Sequence, residues 1–197
     1  LGLGLLAFFD DADGPSRLLR VGIDEVGDLH LFLARPLTHV LAAAAAGAGD
    51  ADADRVVGAD HAGFELKEGL AEFLAGLGHE VTDVGTYSEE RCDYPDFGAA
   101  VGRVVAAGDA DLGVGVCGSG IGIAMAANKI PGVRAATAHD VTSARLAREH
   151  NDANVFCVGS RFVGHQVAIE SLEAFLAAEF QGGRHGPRVA KLDALLD

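Results

Sequence analysis

From Arg55 onward the chain alternates short apolar runs with longer segments of helical periodicity. The β-rich runs are residues 56–58, 81–84, 112–116, 133–136 and 154–158. The first helical segment has apolar side chains every three or four residues from Leu66 to Leu77, and glycines close it. Further helical segments cover residues 96–107, 121–129, 141–149 and 165–179. This alternation predicts an α/β fold, a Rossmann-like three-layer sandwich with a five-stranded parallel sheet and helices on both faces.

Residues 1–54 do not follow this pattern. Residues 41–54 are rich in alanine and end in alternating aspartate and alanine. Such small side chains bury little area, so they do not offset the entropy of ordering their backbone. We therefore predict a poorly ordered N-terminal extension with an Ala/Asp-rich linker over residues 1–54, and a folded domain over residues 55–197.

Composition and charge narrow the possible partners. The 197 residues carry a net charge of −14, which disfavours binding to nucleic acid or to an anionic membrane surface. No apolar run approaches the roughly 20 residues that span a bilayer. The cysteines, Cys92, Cys117 and Cys157, are odd in number and lack metal-ligand spacing, which indicates reduced thiols in a cytoplasmic protein.

Side chains suited to chemistry lie where the predicted strands end. Ligands of parallel sheets bind beyond the carboxyl ends of the strands. At these ends lie Asp60 and His61 after the first strand, Tyr94 beyond the second, Cys117 and Ser119 at the third, and Arg161 after the fifth. This clustering predicts a single active site at one edge of the sheet.

The turn Cys117-Gly118-Ser119-Gly120-Ile121-Gly122 combines a thiol, a hydroxyl and glycine amides. Cys117 is either a general base, with its thiolate stabilised by the following helix, or a small buried apolar residue. Ser119 either relays a proton or caps the helix. The amides of Gly118, Gly120 and Gly122 either hold an anionic intermediate or form a tight turn. A G-x-G-x-x-G match at 113–118 is weak, because two of its glycines belong to the strand itself.

Other polar groups also admit two interpretations. Asp60 and His61 are suited to binding sugar hydroxyls and moving protons, while Asp60 could instead cap a helix. His150, next to Asn151, lies at the end of a helical segment, where histidine often only interacts with the helix dipole.

Phosphate binding in so acidic a chain requires a local group of cations. The candidates are Arg161, Arg184, His185 and Arg188. The alternative for the last three is a solvated basic turn before a helix that Pro187 opens.

Six sequence blocks, in order, resemble the ribose-5-phosphate isomerase B family, which includes the galactose-6-phosphate isomerase subunits. The blocks are residues 58–67, 93–95, 117–122, 126–129, 148–154 and 183–185. The resemblance covers about residues 55–192 and no part of residues 1–54. One branch of the family has a glutamate four residues after the Ser119 position. Here that position is Ile123, so the chain resembles the cysteine branch.

The resemblance implies an aldose–ketose isomerase that needs no metal or other cofactor. It implies interconversion of D-ribose 5-phosphate and D-ribulose 5-phosphate through a cis-enediolate, a reaction of the pentose phosphate pathway. The implied catalytic residues are Cys117 as the base, Ser119 and His150. The implied substrate-binding residues are Asp60, His61, Tyr94, Gly118, Gly120, Gly122, Asn151, Arg161, Arg184, His185 and Arg188.

The resemblance also implies a cytoplasmic homodimer, or a dimer of dimers, with the site between subunits, so that His150 serves the partner's site. Gly186-Pro187 departs from the polar residues expected there and affects the placement of Arg188. Two alternatives remain open. One is isomerisation of another sugar phosphate, such as galactose 6-phosphate or allose 6-phosphate, and the other is a phosphosugar-binding module without turnover.

Overall fold

The structure, a computed structural model, describes residues 54–195. The predicted extension and linker, apart from Asp54, lie outside these residues. Within the described part, five strands form one sheet: β1 (Arg55–Ala59), β2 (Val81–Asp83), β3 (Leu112–Cys117), β4 (Ala135–Thr137) and β5 (Val155–Gly159). They pair in parallel in the order β2-β1-β3-β5-β4. Every residue of β1 and β5 is buried, as expected for parallel strands that helices cover on both faces.

The helices of the described part alternate with these strands. They are α1 (Phe64–Gly76), α2 (Tyr94–Ala107), α3 (Ile121–Ala127), α4 (Val141–Asn151), α5 (His165–Ala177), a 3₁₀ turn (Gly183–His185) and α6 (Gly186–Asp193). In α1 the buried face carries Leu66, Leu70 and Leu74, which is the predicted three-and-four spacing. None of the helices described here has the length and apolar character needed to cross a membrane.

Two hydrophobic clusters fill the space between the sheet and its helices. One cluster joins α1, α4 and α5 to the sheet and contains Phe156 and Phe175, whose ring centroids are 5.6 Å apart. The other joins α2 and α3 to the sheet and contains Val101 and Ile123. The helices therefore lie on both faces, which confirms the predicted α/β sandwich.

The start of β4 differs from the sequence prediction by two residues. Val133 belongs to a turn, because its N–H bonds the Ile130 carbonyl oxygen at 3.1 Å. The Arg134 N–H donates to the side chain of Asn154 at 2.8 Å. The strand pairs with β5 only from Ala135 onward. A side-chain acceptor therefore replaces the first strand partner, and hydrophobicity alone carries no signal for this.

Parallel pairing brings the ends of β1, β3 and β5 to the same edge, here called the carboxyl edge. Ala59 lies opposite Val116, and Cys117 lies opposite Gly159. The residues that follow these strands are therefore neighbours in space although they are far apart in sequence.

Candidate active site

A cavity of about 320 Å³ opens at the carboxyl edge. Its lining residues are Asp60, His61, Ala62, Tyr94, Cys117, Gly118, Ser119, Gly122, Arg161 and Phe162. We refer to this cavity as the pocket. Residues that follow three different strands meet there, together with Tyr94 at the start of α2. The pocket thus brings together most of the residues singled out from the sequence.

Cys117 is the last residue of β3 and contributes to the pocket wall while remaining 3% exposed. The backbone N–H of Gly120 donates to its Sγ at 3.1 Å. The turn thus places a hydrogen-bond donor beside the sulfur, where it could also donate to a thiolate.

Cys157, on the neighbouring strand β5, provides a contrast. It is fully buried, and burial strongly raises the pKa of its thiol, with a further contribution from Cys117. A fully buried thiol with a raised pKa stays protonated and packs as a small apolar side chain. All three cysteines lie in the described part of the chain and are free thiols.

The turn after Cys117 depends on a glycine at position 120. Gly120 has a φ of +74°, and a Cβ there would lie 2.7 Å from the Val158 carbonyl carbon. The turn can therefore pack closely on β5 only without a side chain. Ser119 Oγ accepts a hydrogen bond from the Ile121 N–H at 3.3 Å, so its hydroxyl supports the start of α3 and also lines the pocket.

Asp60 and His61 occupy the turn between β1 and α1. Asp60 Oδ1 accepts hydrogen bonds from the N–H groups of Ala62 at 3.0 Å and Gly63 at 3.1 Å. The carboxylate therefore organises the turn that presents His61, whereas the N-cap of α1 is Gly63.

The loop before α2 holds the His61 ring. His61 Nδ1 lies 3.1 Å from the Cys92 carbonyl oxygen and 3.3 Å from the Cys92 amide nitrogen. The His61 N–H also donates to Cys92 Sγ at 3.2 Å. Cys92 thus positions a ring that lines the pocket.

The segment after β5 forms the opposite wall. The Ser160 N–H donates to the Cys117 carbonyl oxygen at 2.9 Å, and the Arg161 N–H donates to the Gly118 carbonyl oxygen at 3.1 Å. A Cβ on Gly118 would lie 3.2 Å from Arg161 Cζ, so the guanidinium packs against the glycine turn. Phe162, missed in the sequence analysis, also lines the pocket and is 61% exposed. Its position directly after Arg161 at a strand end is the signal that could have identified it.

Other predicted site residues do not line the pocket. Because α4 runs back from the carboxyl edge before β5 begins, its end lies at the opposite, amino edge of the sheet. His150 lies there and stacks on His185, with ring centroids 4.3 Å apart and planes 9° from parallel. Arg184 Nε donates to His185 Nε2 at 3.3 Å. We call His150, Arg184, His185 and Arg188 the basic cluster.

Burial lowers the pKa of His185, and the nearby His150, Arg184 and Arg188 lower it further. The cluster therefore resists a further positive charge unless an anion is bound. Strands of five to six residues, at ~3.3 Å per residue, separate it from the pocket by roughly 17–20 Å. Asn151 lines a separate cavity at the amino edge, of about 440 Å³.

The pocket therefore presents a thiol, an imidazole, a carboxylate and a guanidinium to a small polar ligand. Within residues 54–195, no three or more His, Cys, Asp or Glu side chains are grouped so as to hold a metal ion. A strand-end thiol beside glycine amides, on a parallel sheet covered on both faces, is an arrangement suited to proton transfer on a small oxygenated anion.

The chain belongs to the Ribose/Galactose Isomerase family, which it matches over residues 56–192. Ribose-5-phosphate isomerase B of Escherichia coli is 46% identical over 138 residues, which are 70% of this chain and 93% of that protein. Galactose-6-phosphate isomerase subunit LacB of Clostridium acetobutylicum is 41% identical over 142 residues, 72% of this chain and 82% of that protein.

Solved structures agree with these sequence matches. Ribose-5-phosphate isomerase B of Clostridium thermocellum aligns with a TM-score of 0.71 at 47% identity, over 72% of this chain and 96% of that one. The type B ribose 5-phosphate isomerase of Trypanosoma brucei aligns with a TM-score of 0.70 at 45% identity, over 73% of this chain and 99% of that one.

Proposed function

We propose that this chain is an aldose–ketose isomerase that interconverts D-ribose 5-phosphate and D-ribulose 5-phosphate, a reaction of the pentose phosphate pathway. The observation that carries the proposal is a thiol, Cys117, that lines a pocket and accepts an N–H from Gly120. Relatives named ribose-5-phosphate isomerase B, at 46% and 47% identity, support the choice of substrate.

In the proposed reaction, the Cys117 thiolate removes the proton from C2 of the open-chain aldose. The electron pair of the C–H bond forms the C1–C2 double bond of a cis-enediolate, and the carbonyl oxygen takes the negative charge. A proton next moves from the C2 hydroxyl to the C1 oxygen, and the Ser119 hydroxyl in the pocket lining relays it. The thiol then returns its own proton to C1 while the C2–O bond becomes the carbonyl, which gives the ketose. The base is thus regenerated, and no oxidant or reductant is consumed. Ile123, where the other branch of the family carries a glutamate, is fully buried, which supports the thiol as the base.

The neighbours of Cys117 have separate proposed tasks. The amides of Gly118, Gly120 and Gly122 and the Ser119 hydroxyl act at the oxygens of the enediolate. Asp60, His61 and Tyr94 bind hydroxyl groups, and His61 assists ring opening. Arg161 contributes a cation to the pocket wall. These assignments require no metal ion in the proposed reaction.

The positions of the residues proposed to bind phosphate suggest a site that two subunits share. We propose that the chain forms a homodimer in which the basic cluster and Asn151 of one subunit complete the pocket of the other. In support, the cluster and the pocket of one chain lie at opposite edges of its sheet. Apolar side chains next to the pocket are also exposed, with Ile121 at 51% and Met125 at 63%, as is typical of a surface that another chain covers. Sedimentation of the protein should give the mass of a dimer, or of a dimer of dimers.

We further propose that activity resides in residues 55–197 and that the protein acts in the cytoplasm. The family match over residues 56–192 and the free thiols support this assignment. Removal of residues 1–54 should leave turnover within about threefold of the full chain, because the described residues that line the pocket lie between Asp60 and Phe162. A complete loss of activity would contradict this division of the chain.

A panel of sugar phosphates tests the proposed reaction. Ribose 5-phosphate, galactose 6-phosphate and allose 6-phosphate should be assayed for ketose formation, and ribose 5-phosphate should be turned over fastest. In heavy water the enzyme should also exchange the C2 hydrogen with solvent. Binding without exchange would identify a phosphosugar-binding module. Faster turnover of galactose 6-phosphate would instead favour the activity named for the relative LacB.

A further inference from the structure

The end of β5 contains a buried N–H group whose acceptor is a side chain. Strand β4 pairs with β5 as far as Thr137, opposite Cys157, and the Ala138 N–H still bonds the Cys157 carbonyl oxygen at 2.9 Å. Beyond this point β4 no longer pairs with β5 through its backbone. The buried Gly159 N–H instead donates to His139 Nε2 at 3.1 Å. The imidazole thus extends the ladder by one acceptor.

This bond is the first of three on consecutive residues. The N–H groups of Ser160 and Arg161 donate to the carbonyl oxygens of Cys117 and Gly118, at 2.9 and 3.1 Å. Together the three bonds define the path of the segment that carries Arg161 and Phe162 to the pocket. Among the described contacts, the Gly159 N–H has no backbone acceptor, because the neighbouring strand β4 has ended.

His139 also touches the far end of the same segment. Its ring packs edge-on against the Phe162 ring, with centroids 5.1 Å apart and an interplanar angle of 61°. Such pairs are favourable beyond the area that they bury. His139 therefore contacts Gly159 and Phe162, which lie on either side of Arg161 along the chain, and it does not itself line the pocket.

We propose that His139 is a positioning residue for the isomerase: its neutral ring, with the hydrogen on Nδ1, holds segment 159–162 so that Arg161 and Phe162 form the pocket wall. Only an unprotonated Nε2 can accept from Gly159. A buried N–H without an acceptor is unfavourable, so the segment would shift if the acceptor were lost. The inference rests on the proposed function, because its kinetic readout is turnover of ribose 5-phosphate.

Three substitutions separate the two contacts. His139→Gln places an amide oxygen near the Nε2 position and keeps an acceptor. His139→Phe keeps a ring against Phe162 and removes the acceptor, and His139→Ala removes both. Thr142→Ala, an exposed change in the first turn of α4, is the matched control.

The expected result is a rise in KM, since the segment shapes the wall that binds substrate and the base lies elsewhere. His139→Phe should raise KM about tenfold and change kcat less than about threefold, as expected for one buried donor left unpaired. His139→Ala should be at least as impaired. His139→Gln and Thr142→Ala should stay within about threefold of the unmodified enzyme in kcat/KM. A His139→Phe enzyme with unchanged KM, or a Gln variant as impaired as Phe, would overturn the proposal.

A measurement on the unmodified protein decides the question even if a variant fails to fold. Nitrogen-15 NMR of the histidine rings should find the hydrogen of the His139 ring on Nδ1 and Nε2 unprotonated. A protonated Nε2 contradicts the assignment. This readout does not depend on turnover, so an enzyme inactive on every sugar phosphate would refute the proposed function separately.

Discussion

The two edges of the sheet carry different chemistry. At the carboxyl edge, Cys117, His61 and Asp60 converge on a pocket suited to moving protons. At the amino edge, the stacked rings of His150 and His185 lie among arginines suited to holding an anion. One chain thus carries two groups of candidate site residues at opposite edges of its own sheet. The comparison shows that candidate site residues must first be assigned to one edge of the sheet or the other. Only residues at the same edge can share a cavity within one chain.

The largest expected effect is at the pocket. Cys117→Ala should lower kcat about 10³-fold, because it removes the proposed general base. The effect should be measured as ketose formation from ribose 5-phosphate, with binding of inorganic phosphate followed separately. Cys157→Ala is the matched control: it removes a buried thiol from the next strand and should leave kcat within about threefold. Normal turnover by the Cys117 variant would sink the assignment of the base.

The next largest effect tests whether the pocket of one subunit and the basic cluster of another form one site. Arg184→Ala should lower kcat/KM about 100-fold, because it removes a proposed charged ligand of the phosphate. Cys117→Ala and Arg184→Ala subunits, unfolded together and refolded as a mixture, should then recover about a quarter of the unmodified activity. Half of the dimers are hybrids, and each hybrid has one intact site. Each variant refolded alone is the control. If the mixture stays inactive, the two groups of residues do not meet across an interface.

Two glycines, one at each edge of the sheet, allow the contribution of the two edges to stability to be compared. Gly120 and Gly132 both have positive φ, +74° and +81°, but only at Gly120 would a Cβ meet backbone within 3 Å. Gly120→Ala should therefore lower the free energy of unfolding by about 3 kcal/mol or more, against about 1 kcal/mol for Gly132→Ala. Urea unfolding at constant protein concentration measures both. Equal losses would show that the close packing at the pocket turn is not limiting.

The smallest expected effect is a pH dependence at the basic cluster. Burial lowers the pKa of His185 in the folded chain, whereas the unfolded chain titrates near its ordinary value of about 6.5. The unfolded state therefore binds more protons, so the free energy of unfolding falls as the pH falls through 6.5 and levels off below the folded pKa.

His185→Gln should remove this contribution to the pH dependence of the free energy of unfolding, measured by urea unfolding between pH 7.5 and pH 5.5. At pH 8 the imidazole is neutral in both states, so the difference between the two proteins there serves as the baseline. An unchanged slope in the variant would mean that another group causes the loss of stability.

Much of the fold could be predicted because its signals are local. The spacing of Leu66, Leu70 and Leu74 predicts the buried face of α1, and the apolar run before Cys117 predicts β3. The strand-end rule then places Asp60, Cys117 and Arg161 at one edge, and the pocket confirms that they come together.

Other contacts have no sequence signal, since they join residues that are distant along the chain. The contact between Cys92 and the His61 ring depends on how two loops pack, as does the contact between Phe162 and His139. The role of His139 could not be predicted from the sequence. Its partner is the Gly159 N–H, which needs a side-chain acceptor because β4 ends before it.

The sequence by itself determined the alternation of strands and helices, the family, and which chemical groups end up near strand ends, because these depend on local periodicity and residue type. The tertiary structure decided which of those groups share a cavity. The direction of α4 carries His150 away from Cys117, and the parallel pairing of β1, β3 and β5 brings Asp60, Cys117 and Arg161 together. Direction and pairing are properties of the packed chain, and no single stretch of residues contains them.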